Sequence, residues 1–526
     1  MKKFFLTGFA LCFFSAFVFS QTDIPLKYAE EITEQGLKKQ LTIIASAEME
    51  GRETGTRGQR KAASYIESQF KDAGLQYPES LKGYLQYYPL FKDTLIARLM
   101  KIGHQELVYG KDYILQPGSA LDKRLKATEI VFAGYGISDK NYDDYTGKEV
   151  KNKVVLIFSG EPQENGKYLV SGTTRQSVWG YSINAKAALA KEKGAVAVLF
   201  VNPFWDSIPP ALTENSKKTN LYFPHLNTQQ KVTVISIIPS FLKNIIGVNE
   251  ANAMIETAKE KKALNSITLN IKIKTRLAFK KRSTKIKAAN VIGYVEGSAK
   301  KDEYVFITAH YDHLGKRGDV IYYGADDDGS GTVSVIEMAR VFAKAKQDGH
   351  GPLRSVVFMT VSGEEKGLWG SEYYSDHPVF PLEKTTIDLN IDMIGRIDPN
   401  RNYGDSTNYI YVIGNDKLST DLDPISKAIN KKYTNLELDY KYNAPDDPDR
   451  IYYRSDHYNF ARKGVPILFF YDGMLLADYH KPTDTVDKIN WDLYTKRVRL
   501  IFLTAWNMAN RDDMLKRDLP LPSEED

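Results

Sequence analysis

The chain has 526 residues, 42% hydrophobic and 26% charged, with 71 basic against 66 acidic side chains and a net charge of +5. That length exceeds one ordinary core and implies two domains or one domain with a large insertion. So small a charge excess gives no footprint for nucleic acid, and the only cysteine, Cys12, sits in an N-terminal leader, which excludes disulfides, thiolate metal sites and a cysteine nucleophile from the mature chain.

Lys2 and Lys3 precede an apolar run from Phe4 to Phe19, and Ser20 supplies a small residue before Gln21. Residues 1–20 therefore read as a secretory signal, and the protein is expected to be exported, periplasmic or secreted. No later stretch is long enough to span a bilayer. Residues 21–126 read as the first part of the main domain. Leu26 to Gln40 is expected to be helical, as is Gly58 to Ala73, where Ala62, Ile66 and Phe70 recur every four residues and Gly74 follows as a cap. Between them, EMEGRETGTRGQ carries Arg52 and Arg57. It either borders a cleft or turns the chain, and its residue types favour the turn.

Residues 127–274 have a character of their own. ATEIVFAGYGI, KNKVVLIFSG, VAVLFVN and KVTVISI read as strands and SINAKAALAKEKGA as a helix, which together make a smaller inserted α/β module. Its lone His225 reads as a surface or packing residue. The basic segment from Lys272, KIKTRLAFKKRSTKIK, alternates polar and apolar residues and is expected to be a charged edge strand or a linker.

Residues 275–526 form the main part of the larger domain. Val305 to Ile307 is a buried strand that ends where His310, Asp312 and His313 crowd together. Asp326, Asp327 and Asp328 follow, flanked by glycines. Adjacent carboxylates repel unless a cation neutralises them, although this segment alone reads equally as a solvated acidic turn. TVSVIEMARVFAKA is a helix. SVVFMTVSGEE is a strand ending in Glu364 and Glu365, TTIDLNIDMIG another carrying Asp392, and GVPILFFYDG leads to a polar loop with His480. The fold class is mixed α/β, with a mainly parallel central sheet flanked by helices and the smaller α/β module inserted.

Each acidic or histidine residue lies at a strand's exit, and a parallel sheet brings such exits to one edge. A hydrolytic metal pair needs nitrogen and oxygen ligands, a shared carboxylate and open positions; His310, Asp327, Glu365, Asp392 and His480 supply that set. Of the neighbours Glu364 and Glu365, one can bind metal while the other handles protons. His313 and His457 read as structural or supporting residues, His104, His350 and His377 as solvated, and Trp369 as packing.

The blocks AHYDHLG, GADDDGSG, SGEEKGLWGS, NIDMIG and YHKPTDT, in this order, resemble the bacterial double-zinc aminopeptidase family, metallopeptidase family M28, which also includes a glutamate-carboxypeptidase branch and, more distantly, glutaminyl cyclases. The inserted module resembles the protease-associated domain that many members carry. The resemblance implies two Zn2+ ions, His310 and Asp392 on one, Glu365 and His480 on the other, and Asp327 bridging. It makes Glu364 the general base and Asp312 the carboxylate that orients His310 through its other ring nitrogen. It also implies a cis peptide after Asp327, a hydroxyl from Tyr479 on the developing oxyanion, and Arg454 as a weaker candidate for the same pocket. The expected activity is removal of N-terminal residues from peptides with a free N-terminus; the alternatives are a carboxypeptidase acting on acidic dipeptides and a receptor-like protein that has lost catalysis.

Overall fold

The computed structural model describes residues 23–116, 122–224 and 232–522, so the expected leader, Cys12 and His225 lie outside the described residues. The chain divides into two compact units, Met1–Tyr88 with Ala288–Asp526, and Pro89–Lys287. The expected module, 127–274, is therefore only part of the second unit, which begins before residue 126 and ends after 274. The cause is a pair of long strands, Leu85–Ile102 and Asn270–Val295, whose frequent charged residues disguise them. Asn270 to Phe279 pairs antiparallel with Lys123–Phe132, so the basic segment is strand and not linker.

In the first unit the expected helix over 26–40 is two helices, α1 (Ile24–Ala29) and α2 (Glu34–Ile44), because Thr33 caps the second by accepting from the Gly36 N–H at 3.1 Å. Helix α3 (Arg57–Asp72) buries Ala62, Ile66 and Phe70, as their spacing predicts. The strands are β1 (Asn270–Val295, through Val291–Val295), β2 (Lys300–His310), β3 (Arg354–Val361), β4 (Thr385–Ile391), β5 (Tyr409–Ile413), β6 (Glu437–Asp439) and β7 (Ile467–Tyr471). Their order in the sheet is β6-β5-β7-β4-β2-β3-β1. The central strands β7, β4, β2 and β3 run parallel. All residues of β3, β4 and β7 are buried, the mark of a sheet covered on both faces.

Two helical layers provide the cover. On one face Phe306 of β2 meets Tyr374 of α5 (Trp369–Asp376) at 5.6 Å and Phe460 of α6 (His457–Ala461) at 5.4 Å. On the other, Phe342 of α4 (Gly331–Gln347) packs 5.8 Å from Phe358 of β3 and 4.8 Å from Phe502 of α7 (Trp491–Asn510). Among the described residues no helix is long and apolar enough to cross a membrane.

In the second unit the parallel strands Lys123–Phe132, Val154–Phe158, Ala197–Val201 and Thr233–Ile237 lie side by side. Alternate residues feed two cores: Val154, Leu156 and Phe158 one, Val155 and Ile157 the other. The helix Ile183–Glu192 carries a buried lysine, Lys186, whose Nζ donates to the carbonyls of Phe158 (3.4 Å) and Gly160 (2.5 Å). Burial pulls Lys186 down to about 7 against the attraction of Asp144 and Glu161, and burial lifts the enclosed Asp144 to about 6.

From about pH 7 to about pH 10 the unfolded chain keeps a proton that folded Lys186 has released, so this lysine makes the second unit more stable as pH rises. Lys186→Met is expected to melt higher than wild type at and below neutrality, and that advantage should shrink toward about pH 10. Scanning calorimetry of both proteins across that range checks it; an advantage independent of pH would refute it.

Candidate metal centre

Strand β2 ends at His310, which lies beside Val361 at the end of β3; Glu364 and Glu365 follow β3, Asp392 follows β4, and the loop after β7 leads to His480. Because these strands are parallel, all five predicted ligands and Glu364 meet at one edge. Asp327 sits at the centre. Its Oδ1 is 3.3 Å from His310 Nε2, and its Oδ2 is 3.2 Å from His480 Nε2. His310 Nε2 also faces Asp392 Oδ1 at 3.5 Å and Glu364 Oε2 at 3.9 Å, while His480 Nε2 faces Glu365 Oε2 at 3.1 Å. Two groups able to hold a cation result, His310 with Glu364 and Asp392, and His313 with Asp327 and Glu365.

These residues fit a divalent metal on their own evidence. His310 Nε2, both ring nitrogens of His313, Asp327 Oδ2 and Glu365 Oε1 are buried without hydrogen bonds, although nitrogen and carboxylate oxygen face each other at close range. Buried polar atoms are almost always satisfied, and imidazole with carboxylate is a zinc-type donor set.

The loops are tied by residues around the ligands. The Asp327–Asp328 peptide is cis, as the resemblance implies. Asp328 accepts from the main-chain N–H groups of His310 (3.1 Å), Gly331 (2.8 Å) and Met393 (3.1 Å), which ties two strand exits to the start of α4. Asp484 accepts from the N–H groups of Asp326 and Asp327, anchoring the His480 loop to the triple aspartate. His480 adopts a left-handed φ of +56°, a conformation costing an L-residue about 1–2 kcal/mol that only a well-fixed loop tolerates. Ser455, which sequence reasoning missed, donates to Asp392 Oδ2 at 2.7 Å and accepts from Asn390; its only signal is its place between Arg454 and Asp456.

Two expectations change. Asp312 does not hold His310 through its carboxylate: His310 Nδ1 donates to the main-chain oxygen of Asp312 at 3.1 Å, with the carboxylate at 3.8 Å. That carboxylate instead accepts from the Thr54 hydroxyl at 2.6 Å and from the Glu364 N–H at 3.3 Å, so it positions the loop of Glu364. The EGRETGT segment is likewise more than a turn. Arg52 is fully buried and donates to the carbonyls of Tyr311 (2.8 Å), Ile44 (2.8 Å), Tyr323 (2.7 Å) and Gly324 (2.8 Å), bracing both ligand loops from beneath.

A cavity of about 360 Å³ opens over the centre, floored by Asp327, Glu364 and Asp392 and walled by Met393, Ile451, Phe469 and Leu475. Tyr479 also lines it, its ring stacked on His480 at 3.8 Å and its hydroxyl 3.5 Å from Arg454 Nη2. Burial, then Asp327 and Glu364, push this phenol up, so it stays protonated. His457 is structural: its Nε2–H donates to the Tyr452 carbonyl at 2.7 Å, its ring stacks on Phe469, and burial holds it neutral at about 3. Trp369 is buried in packing, and His104, His350 and His377 are exposed.

Residues 290–505 match the model of peptidase family M28. The aminopeptidase YwaD of Bacillus subtilis (strain 168) is 29% identical over 167 residues, 31% of this chain and 32% of that protein. A probable leucine aminopeptidase of Arthroderma otae is 28% identical over 215 residues, 40% of this chain and 55% of that protein. The chain thus spans about a third to about a half of the length of these curated relatives. Among solved structures, the aminopeptidase from Aneurinibacillus sp. strain AM-1 has a TM-score of 0.51 at 20% identity, covering 95% of this chain and all of that one. A zinc aminopeptidase from Bacillus subtilis gives 0.50 at 20% identity over 93% and 99%. These two likenesses establish the fold.

Arg52→Met would strand four carbonyls, three of them buried. At roughly 1–3 kcal/mol for each unsatisfied group, the first unit is expected to lose at least about 3 kcal/mol, and metal uptake should fall with it. Arg52→Lys should recover only part, since one ammonium cannot span all four oxygens. Denaturant unfolding and metal analysis of the three proteins check this.

Proposed function

We propose that this chain, whose residues 290–505 belong to peptidase family M28, is a metal-dependent exopeptidase that removes N-terminal residues from peptides with a free N-terminus. The observation that carries the reading is the place of Glu364: it lines the cavity with its Oε2 3.9 Å from His310 Nε2, next in the chain to Glu365. We assign two Zn2+ ions, the metal named for one structural relative and for several curated ones. His310, Asp392 and Asp327 Oδ1 would hold one, and His480, Glu365 and Asp327 Oδ2 the other.

What such a pair supplies when bound is a water acidic enough to lose its proton near neutrality and a polarised peptide carbonyl. Glu364 Oε2 takes that proton and later hands it to the leaving amine. The Tyr479 hydroxyl, kept protonated by burial, donates to the carbonyl oxygen as negative charge develops there. Met393, Ile451, Phe469 and Leu475 give an apolar side chain of the substrate a wall to pack on. The leader-like run of residues 1–20 supports export to the periplasm or medium.

One observation favours a second reading. Arg454 reaches the same cavity and forms no ion pair among the described residues, so it suits a substrate carboxylate, as a carboxypeptidase or dipeptidase would need. A receptor-like role without catalysis finds no support in a site that retains every ligand and Glu364.

Purified protein should cleave aminoacyl chromogenic substrates, leave acyl-blocked ones intact and lose activity to a chelator; activity on blocked substrates alone, or indifference to the chelator, would refute the aminopeptidase reading. Glu364→Gln is expected to retain its metal by elemental analysis while losing about 10²–10⁴-fold in kcat. Asp327→Asn should lose the metal itself. Full activity in Glu364→Gln would show that another group is the base.

A further inference from the structure

His313 groups with Asp327 and Glu365 but has no part in the two ligand sets proposed above. His313 is fully buried, yet neither ring nitrogen makes a hydrogen bond. Its Nδ1 lies 2.8 Å from Glu365 Oε1 and 3.7 Å from Asp327 Oδ2. At 2.8 Å a hydrogen bond would be expected; none forms, so the ring N–H direction misses the oxygen. The other oxygen of the same carboxylate, Oε2, lies 3.1 Å from His480 Nε2. The two imidazoles meet edge-on, with centroids 6.0 Å apart and planes at 66°. Two donors held at close range without a hydrogen bond is what a shared cation produces.

The backbone makes room for this placement. Gly324 has a left-handed φ of +57°, and a Cβ there would come within 2.6 Å of the His313 ring. Its carbonyl is one of the four gripped by Arg52, which fixes the loop against the imidazole. His313 therefore has a seat built for it, and Asp327 divides its oxygens accordingly: Oδ1 toward His310, Oδ2 toward His313 and His480.

We infer that His313 is a direct ligand of the cation held by Asp327, Glu365 and His480, which makes the two metal positions unequal. This rests on the two-cation reading proposed above. One position would then draw on four protein donors, two imidazoles and two carboxylates, and the other on three, His310, Asp392 and Asp327. The four-donor position holds its metal more tightly, and a chelator strips the three-donor position first.

The test uses the full chain, stripped of metal and reloaded with two equivalents of cobalt(II). Proton NMR should show three sets of hyperfine-shifted imidazole ring signals in the wild type and two in His313→Asn. In competition with a chelator, the tighter cobalt of the wild type should bind at least about 10-fold more weakly in the variant. Two sets in the wild type, or a variant whose tight-site affinity is unchanged, would overturn the assignment while leaving chelator-sensitive peptidase activity intact. Failure to take up cobalt at all would sink this assignment together with the two-cation reading. Should His313→Asn not fold, the wild-type signal count decides alone.

Discussion

Crowding of negative charge at one edge of a buried sheet is the constraint that shapes the first unit. Asp312, Asp326, Asp327, Asp328 and Asp484 are each at most 2% exposed, and Glu364, Glu365 and Asp392 stand among them. Carboxylates brought this close in a poorly solvated place raise one another's free energy by several kcal/mol unless something positive faces them. The protein answers in three ways. Main-chain N–H groups of two strand exits and of the segment leading into α4 converge on Asp328 and Asp484. Buried guanidiniums, Arg52 below the ligand loops and Arg497 3.9 Å from Asp472, supply fixed positive charge. The histidines His310, His313 and His480 face the remaining oxygens as metal ligands do, which makes a divalent cation the last element of the balance.

This charge balance also explains why the ligands are spread so widely along the chain. A parallel sheet aligns the C-terminal ends of β2, β3, β4 and β7: His310 ends β2, Glu364 and Glu365 follow β3, Asp392 follows β4, and His480 stands further along the loop after β7. Short side chains on rigid strand ends have little freedom, so the geometry is fixed by the sheet register before any ligand arrives. The loop that carries His480 comes last and is the least constrained by the sheet; its tie to the triple aspartate through Asp484 compensates for that.

His310, Glu364, Glu365 and Asp392 were legible as site residues because their signals are local: an apolar run long enough for a buried strand, followed closely by histidine, aspartate or glutamate. What lay outside such patterns was not. Arg52 looks like a residue of a polar turn, since nothing in EGRETGT reveals that four carbonyls from three distant segments will close around it. The direction of His310 Nδ1 depends on where the main chain of Asp312 turns, and no residue type encodes that choice. The borders of the second unit were hidden for a different reason. Asn270–Val295 is a strand in which lysine and arginine alternate with apolar residues, a pattern shared by edge strands and linkers, and only its pairing with Lys123–Phe132 distinguishes the two.

The cavity inherits its selectivity from the same asymmetry of charge. Its floor is anionic and its walls are apolar, so a substrate group entering it must either be cationic or be drawn to the metal. In the proposed reading Glu364 is the floor carboxylate left to meet a peptide's amine, whereas an acyl-blocked end offers nothing to offset its desolvation. Arg454 is the one cationic side chain lining this cavity, and it stands beside Tyr479. There it opposes the floor: a carboxylate could approach the site only by way of the guanidinium. Whether the protein reads the amine or the carboxylate of its substrate therefore reduces to which of two charges dominates at the site of cleavage. With Asp327 and Asp392 turned to the metal in the proposed reading, Glu364 against Arg454 is the pair that sets the choice.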